Sequence, residues 1–170
     1  RLFFDPKLSA DNSISCASCH SPFNAFAHTD HELSHGIHDS IGNRNAPALF
    51  NLAWQQSFMW DGAINHLDVQ PLAPISHAAE MGSSINEVIQ KIEGITLYCN
   101  LYFEACGDSS ISSAKILKAL AQFQLTLVSA NSKYDRVVQG REKFSVQEEN
   151  GYKLFLKNCN RCHTEPLFSN

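Results

Sequence analysis

The sequence predicts an all-α fold from three observations. Apolar residues recur at helical spacing in two stretches, Ile85 to Ile92 and Ile111 to Val128. Two Ser-x-x-Glu capping boxes, Ser84 with Glu87 and Ser145 with Glu148, stand where helices would open. No convincing alternating strand or Asn-Gly hairpin is present. The 170 residues are 44% hydrophobic with a formal net charge of -4, the make-up of a globule with a real core. No long Lys/Arg block supports nucleic-acid binding, and no apolar run of about 18 residues suggests a membrane span.

The elements follow in order. Short helices are expected over residues 47–56 and 66–73. The helix opened by Ser84 carries Ile85, Val88, Ile89 and Ile92 on one face, and Gly94 punctuates its end. A longer helix within Ile111 to Val128 presents Ile116, Leu120, Phe123 and Leu127 as a broad apolar stripe. The polar stretch from Asn131 to Glu142, with Gly140, marks the boundary between domains 1–140 and 141–170. Ser145 then opens a helix through Tyr152, Leu154 and Phe155. On one continuous helix, Cys99 and Cys106 would lie about 10 Å apart, too far for a disulfide. They are either free thiols or a pair that requires Tyr98 to Gly107 to unwind.

The remaining four cysteines form two copies of one pattern, Cys16-Ala17-Ser18-Cys19-His20 and Cys159-Asn160-Arg161-Cys162-His163. C-x-x-C-H is the attachment signature of c-type haem. Two thiols about one helical turn apart can add to the two vinyl groups of one porphyrin, and the next residue brings an imidazole beneath the iron. A four-thiolate zinc site would leave both adjacent histidines unexplained. The chain therefore predicts two covalently bound haem c groups, each filling the core of its own small helical domain. Cys16, Cys19, Cys159 and Cys162 are the attachment points, and His20 and His163 the iron ligands. Bacterial haem attachment takes place outside the cytoplasm, so a periplasmic location is expected. The start at Arg1-Leu2-Phe3-Phe4, without Met or leader, reads as a processed or cut segment.

Further landmarks resemble those of the bacterial dihaem cytochrome c peroxidase family, which includes the MauG-type enzymes. They are Leu2-Phe3-Phe4-Asp5-Pro6-Lys7-Leu8-Ser9 ahead of the first motif, Arg44-Asn45-Ala46-Pro47, Trp60-Asp61-Gly62, Gln70 to Ile75, and Glu80-Met81. The resemblance implies a first haem that meets hydrogen peroxide. It implies a second haem fed by a small electron-donor protein, a c-type cytochrome or cupredoxin. Gln70 and Glu80 match the family's polar pair on the distal side of the first haem, Glu80 to move a proton and Gln70 to position peroxide. Trp60 matches a tryptophan between the haems, and Asn45 an asparagine that helps bind calcium. Read without the resemblance, Glu80 is a helix cap or ion-pair partner, Gln70 a surface residue, Trp60 a core residue and Asn45 a turn residue.

Two departures stand out. Members with a six-coordinate first haem place a distal histidine in the loop that here holds His28, His31, His35 and His38. Gap-free counting puts Ile37 at that place, flanked by His35 and His38: either is the ligand, His38 preferred, or neither binds and the first haem rests five-coordinate. Only seven residues follow His163, so the second haem domain is read as incomplete in this chain, lacking the methionine or tyrosine that supplies a sixth ligand. The expected activity is reduction of hydrogen peroxide to water. The alternatives are a MauG-like oxidase acting on a partner protein and a non-catalytic dihaem electron carrier. The resemblance also allows a homodimer.

Overall fold

The computed structural model describes residues 1–168. Among them the regular structure is helical, with α-helices, single 3-10 turns and three isolated bridges but no strand. The chain divides into two units, Arg1–Leu127 and a second beginning at Val128. The division thus falls before the polar stretch that the sequence reading took as the boundary at 140. That stretch is structured: Ser132 and Asp135 make a capping box, and Lys133 and Tyr134 bond to Glu148 and Glu165 further along the second unit.

The first unit holds α1 (Cys16–Cys19), α2 (Leu72–Ser76), α3 (Ile85–Glu93), α4 (Thr96–Cys106) and α5 (Ser113–Leu125). The capping box of α3 forms as the sequence implies, with the Ser84 hydroxyl accepting from Glu87 N–H at 3.2 Å and Glu87 accepting from Ser84 N–H at 2.7 Å. The helix buries Val88 and Ile92, and α5 buries Ile116, Leu117 and Leu120. Val88, Ile92, Ile116 and Leu120 meet Leu2, Phe3, Leu8 and Ile75 in one core. Lys91 of α3 donates to the carbonyls of Ser9 at 2.6 Å and Ala10 at 3.0 Å, tying the helix to the segment that leads into α1.

Two short helices come out differently. Residues 47–56 contain only a 3-10 turn, Leu52–Trp54, because Asn51 takes a left-handed conformation with φ of 61°. The helix expected over 66–73 starts late, at Leu72, after Pro71, whose ring disfavours helical geometry in the residue before it. The α4 helix is continuous, and Cys99 and Cys106 are free thiols.

The second unit is built from α6 (Lys133–Val138) and α7 (Val146–Asn158), with Cys159 as the cap of α7. Neither helix fully buries a side chain. Tyr134, Tyr152, Phe155 and Phe168 form an aromatic cluster, and the hydroxyls of Tyr134 and Tyr152 both donate to Glu165, at 2.6 and 2.5 Å. No helix among the described residues is long and apolar enough to cross a membrane.

Candidate functional site

Each C-x-x-C-H segment is one helical turn. His20 N–H donates to Cys16 O at 2.9 Å, and His163 N–H to Cys159 O at 2.9 Å. Each imidazole also places Nδ1 against a backbone carbonyl, Phe26 O at 3.0 Å and Phe168 O at 3.2 Å. A carbonyl can only accept, so Nδ1 carries the proton and Nε2 is left with its lone pair, the form in which histidine ligates a metal.

The first turn borders a cleft, open at its mouth and walled by Phe3, Ile14, Leu49, Ile75 and Leu120. Cys16, Cys19, His20, Gln70 and Glu80 all line it. Burial pushes the Cys16 thiol up to about 12. Burial also raises Cys19, with the nearby Glu80 carboxylate adding to the effect. Burial lowers His20, against the opposing pull of the Phe26 and Pro47 carbonyls. Two protonated thiols and a neutral imidazole on an apolar cleft fit a covalently attached haem: the thiols could hold its edge and the imidazole its iron.

Glu80 is placed by its backbone. Its N–H donates to His77 O at 3.0 Å, and its carbonyl accepts from Ile37 N–H at 2.8 Å. Gly36 lies so close to the backbone of Ala79 and Glu80 that a methyl group there would collide with both. Gly82, with φ of 55°, makes room for the Ile37 side chain. The loop around residues 34–37 is thereby fitted against the 79–82 turn, and its His35 carbonyl lies 3.9 Å from the Cys19 sulfur. His77 Nδ1 sits 3.6 Å from Glu80 Oε1, and Gln70 Nε2 donates to the Met59 sulfur at 3.6 Å.

A family model described as di-haem cytochrome c peroxidase matches residues 1–143. The chain belongs to this family. It is 36% identical to the methylamine utilization protein MauG of Methylophilus methylotrophus over 179 residues, covering 99% of the chain and 51% of that protein. It is 35% identical to the cytochrome c peroxidase Ccp of Escherichia coli over 165 residues, covering 95% of the chain and 35% of that protein. The chain thus spans about half or less of these relatives' own length. Among solved structures, a MauG-like protein associated with microbial copper homeostasis matches with a TM-score of 0.83 at 28% identity, over 99% of the chain and 52% of that protein. The diheme peroxidase BthA from Burkholderia thailandensis matches with a TM-score of 0.81 at 29% identity, over 96% and 47%. Membership of this di-haem family implies haem c cofactors.

The other residues picked out by the family resemblance lie away from the cleft wall. Trp60 is 63% exposed rather than a core residue, and its Nε1 donates to Asn45 O at 2.7 Å. The Asn45 amide in turn donates to the Glu32 carbonyl. Arg44 pairs with Asp61 at 2.8 Å. Arg44-Asn45 and Trp60-Asp61 therefore form one exposed, mutually bonded cluster. The His38 side chain is 75% exposed, its ionic partner is Asp11 at 3.8 Å, and it is not among the residues that line the cleft. Ile37 is buried at the inward place, and His35 instead bonds Asp39 at 2.5 Å.

The second turn is set differently: Cys159, Cys162 and His163 are all exposed. Sequence reasoning missed Met59, His77, Gly36 and Gly82. Of these only His77 carried a legible signal, its i,i+3 spacing to Glu80.

Proposed function

We propose that the protein is a periplasmic di-haem peroxidase that reduces hydrogen peroxide to water with electrons from a small c-type cytochrome or cupredoxin. The observation that carries this reading is the meeting of Gln70 and Glu80 with Cys16, Cys19 and His20 on one apolar cleft. Relatives named as peroxidases support it. Cys16, Cys19 and His20 would hold a haem c supplying the redox centre for peroxide, and Cys159, Cys162 and His163 would hold a second supplying electrons.

The chain's own residues do the rest. Splitting the O–O bond requires a proton to move from the inner to the leaving oxygen. Glu80 is the carboxylate on the cleft that takes and returns that proton, with His77 at 3.6 Å to orient it. Gln70 turns its NH₂ to Met59, which leaves its carbonyl oxygen to accept from peroxide or water. The apolar walls keep bulk water from the reacting group. The overall balance is H₂O₂ plus two electrons and two protons to two waters.

Neither His35 nor His38 lines the cleft, which supports a first haem that binds peroxide without prior reductive release of either. Trp60 provides an aromatic ring for electron passage. Asn45 keeps its carboxamide oxygen for a hard cation, but no group of three or more His, Cys, Asp or Glu that could hold a metal ion occurs among the described residues. No step is therefore assigned to calcium. A MauG-like oxidase would use the same cleft, and the 36% identity to a MauG protein supports that second reading. A pure electron carrier would have no need of Gln70 and Glu80 beside the first attachment turn.

The test is turnover of the haem-loaded protein with peroxide and a reduced small c-type cytochrome. Two donor equivalents should be oxidised per peroxide. Glu80→Gln should lower kcat/KM by about 10²–10⁴-fold without altering the haem spectrum. Peroxide consumption without donor oxidation would favour the oxidase, and absence of both would leave a carrier.

A further inference from the structure

Gln70 rests on Met59, whose own redox chemistry the mechanism above leaves unused. Its Nε2 lies 3.6 Å from the Met59 sulfur. A thioether only accepts, so this contact decides which end of the amide faces the cleft. Met59 is held in place by an uncommon backbone conformation, φ of 71°, just after Phe58, whose N–H bonds Ile64 O at 2.7 Å. The chain has two methionines, and they differ sharply: Met59 is 40% exposed and Met81 3%.

We propose that Met59 positions the Gln70 carboxamide through its N–H···S contact and is the methionine that hydrogen peroxide oxidises, so that sulfoxide formation resets the amide. The inference rests on the peroxidase reading for its oxidant. In the reaction a sulfur lone pair attacks one peroxide oxygen and the O–O bond breaks. Sulfur is oxidised by two electrons as the S=O bond forms. The other oxygen leaves as hydroxide and takes up the proton lost from the transferred oxygen, giving water. The sulfoxide oxygen accepts a hydrogen bond more strongly than the thioether does, and it holds Nε2 in a new place. Methionine sulfoxide reductases reverse the change.

The first test uses the haem-loaded protein in its ferric state, with cyanide bound so that the haem does not consume the oxidant. Peroxide is titrated in, and the Met59 and Met81 peptides are weighed. The Met59 peptide should gain one oxygen well before the Met81 peptide. Simultaneous oxidation, Met81 first, or no oxidation of Met59 overturns the proposal.

The second test measures the cyanide Kd of the ferric first haem. Met59→Leu, a change at a half-exposed site, should shift it by about two- to tenfold, the scale of one neutral hydrogen bond. The shift should vanish in a Gln70→Ala background, and reductase treatment should restore the oxidised protein. A shift that persists without Gln70, or no shift at all, overturns the positioning role. Selective Met59 oxidation with intact coupling but no peroxide turnover would sink the peroxidase reading alone. Turnover without coupling would sink this one alone.

Discussion

At Cys16–His20 and at Cys159–His163 the backbone makes the same turn, with the histidine N–H 2.9 Å from the first cysteine's carbonyl and Nδ1 against a second carbonyl. The surroundings differ. The first turn borders an apolar cleft backed by Phe3, Ile75 and Leu120, and both of its thiols are raised by burial. The second caps α7, a helix with no fully buried residue, and its cysteines are exposed. Five residues are enough to build an attachment turn, because the i,i+4 bond and the carbonyl on Nδ1 are local. They are not enough to decide what chemistry happens there. What sets the first turn apart is the company of residues distant in the chain, Gln70 and Glu80, which line its cleft and to which the proposed function gives the chemistry.

The largest expected break in the comparison comes from the thiols. Replacing Cys16 and Cys19 together by Ser should remove one covalent haem, abolish peroxide reduction and lower the melting temperature of the first unit, whose core surrounds the cleft. The same change at Cys159 and Cys162 should also remove one haem but leave the melting of the first unit in place. Haem counts and thermal unfolding of both variants check this. Equal losses would mean that the two turns are equivalent in context as well as in form.

A smaller effect is expected at Gly36. An added methyl there meets the backbone of Ala79 and Glu80, so Gly36→Ala should push Glu80 off the cleft. Displacement of a reacting group by about 1 Å can cost about 100-fold in rate. Steady-state turnover should show that loss with the second haem's potential unchanged, and wild-type turnover would contradict the interlock.

The smallest effect is acid fraying of the two capping boxes. The Lys133 ammonium and the Ser145 N–H and hydroxyl hold Glu148 down to about 2, from an ordinary 4.5. The Ser84 N–H and hydroxyl likewise lower Glu87. A carboxylate favoured by folding stabilises fully above its unfolded pKa, and the contribution is lost as the pH falls through the folded one. As the pH falls below about 4.5 both caps weaken, that of Glu148 over the range down to about 2. The α3 helix retains its buried Val88 and Ile92, whereas α7 has no such face, so hydrogen exchange should show α7 opening first. Simultaneous opening would mean that the caps, not the core, govern both helices.

Local signals were the legible ones. Ser84 with Glu87, Ser145 with Glu148, the stripe of Ile116 and Leu120, and both C-x-x-C-H turns could be read because each lies within a few residues of its partner. The helix expected over 47–56 failed on the left-handed Asn51, which no apolar period reveals. The chain divides at Val128, ahead of the boundary expected at 140, and Ser132 caps with Asp135, a box that the Glu-or-Gln pattern does not reveal. At the site, the family resemblance pointed to Gln70 and Glu80, but not to what places them. Gly36, Gly82 and Met59 act through close backbone approach and side-chain reach across loops, and spacing along the chain carries no trace of either. In the histidine loop the spacing left the distal place open, and burial of Ile37 sets the loop's inward side.

The most direct test asks which of the two turns meets peroxide. The haem-loaded protein and its His20→Ala and His163→Ala variants are each mixed with one equivalent of hydrogen peroxide, and the haem spectra are followed by stopped flow. The account predicts that the fast response disappears in His20→Ala and persists in His163→Ala. A response that persists without His20 and disappears without His163 would contradict it and move the peroxide site to the second unit.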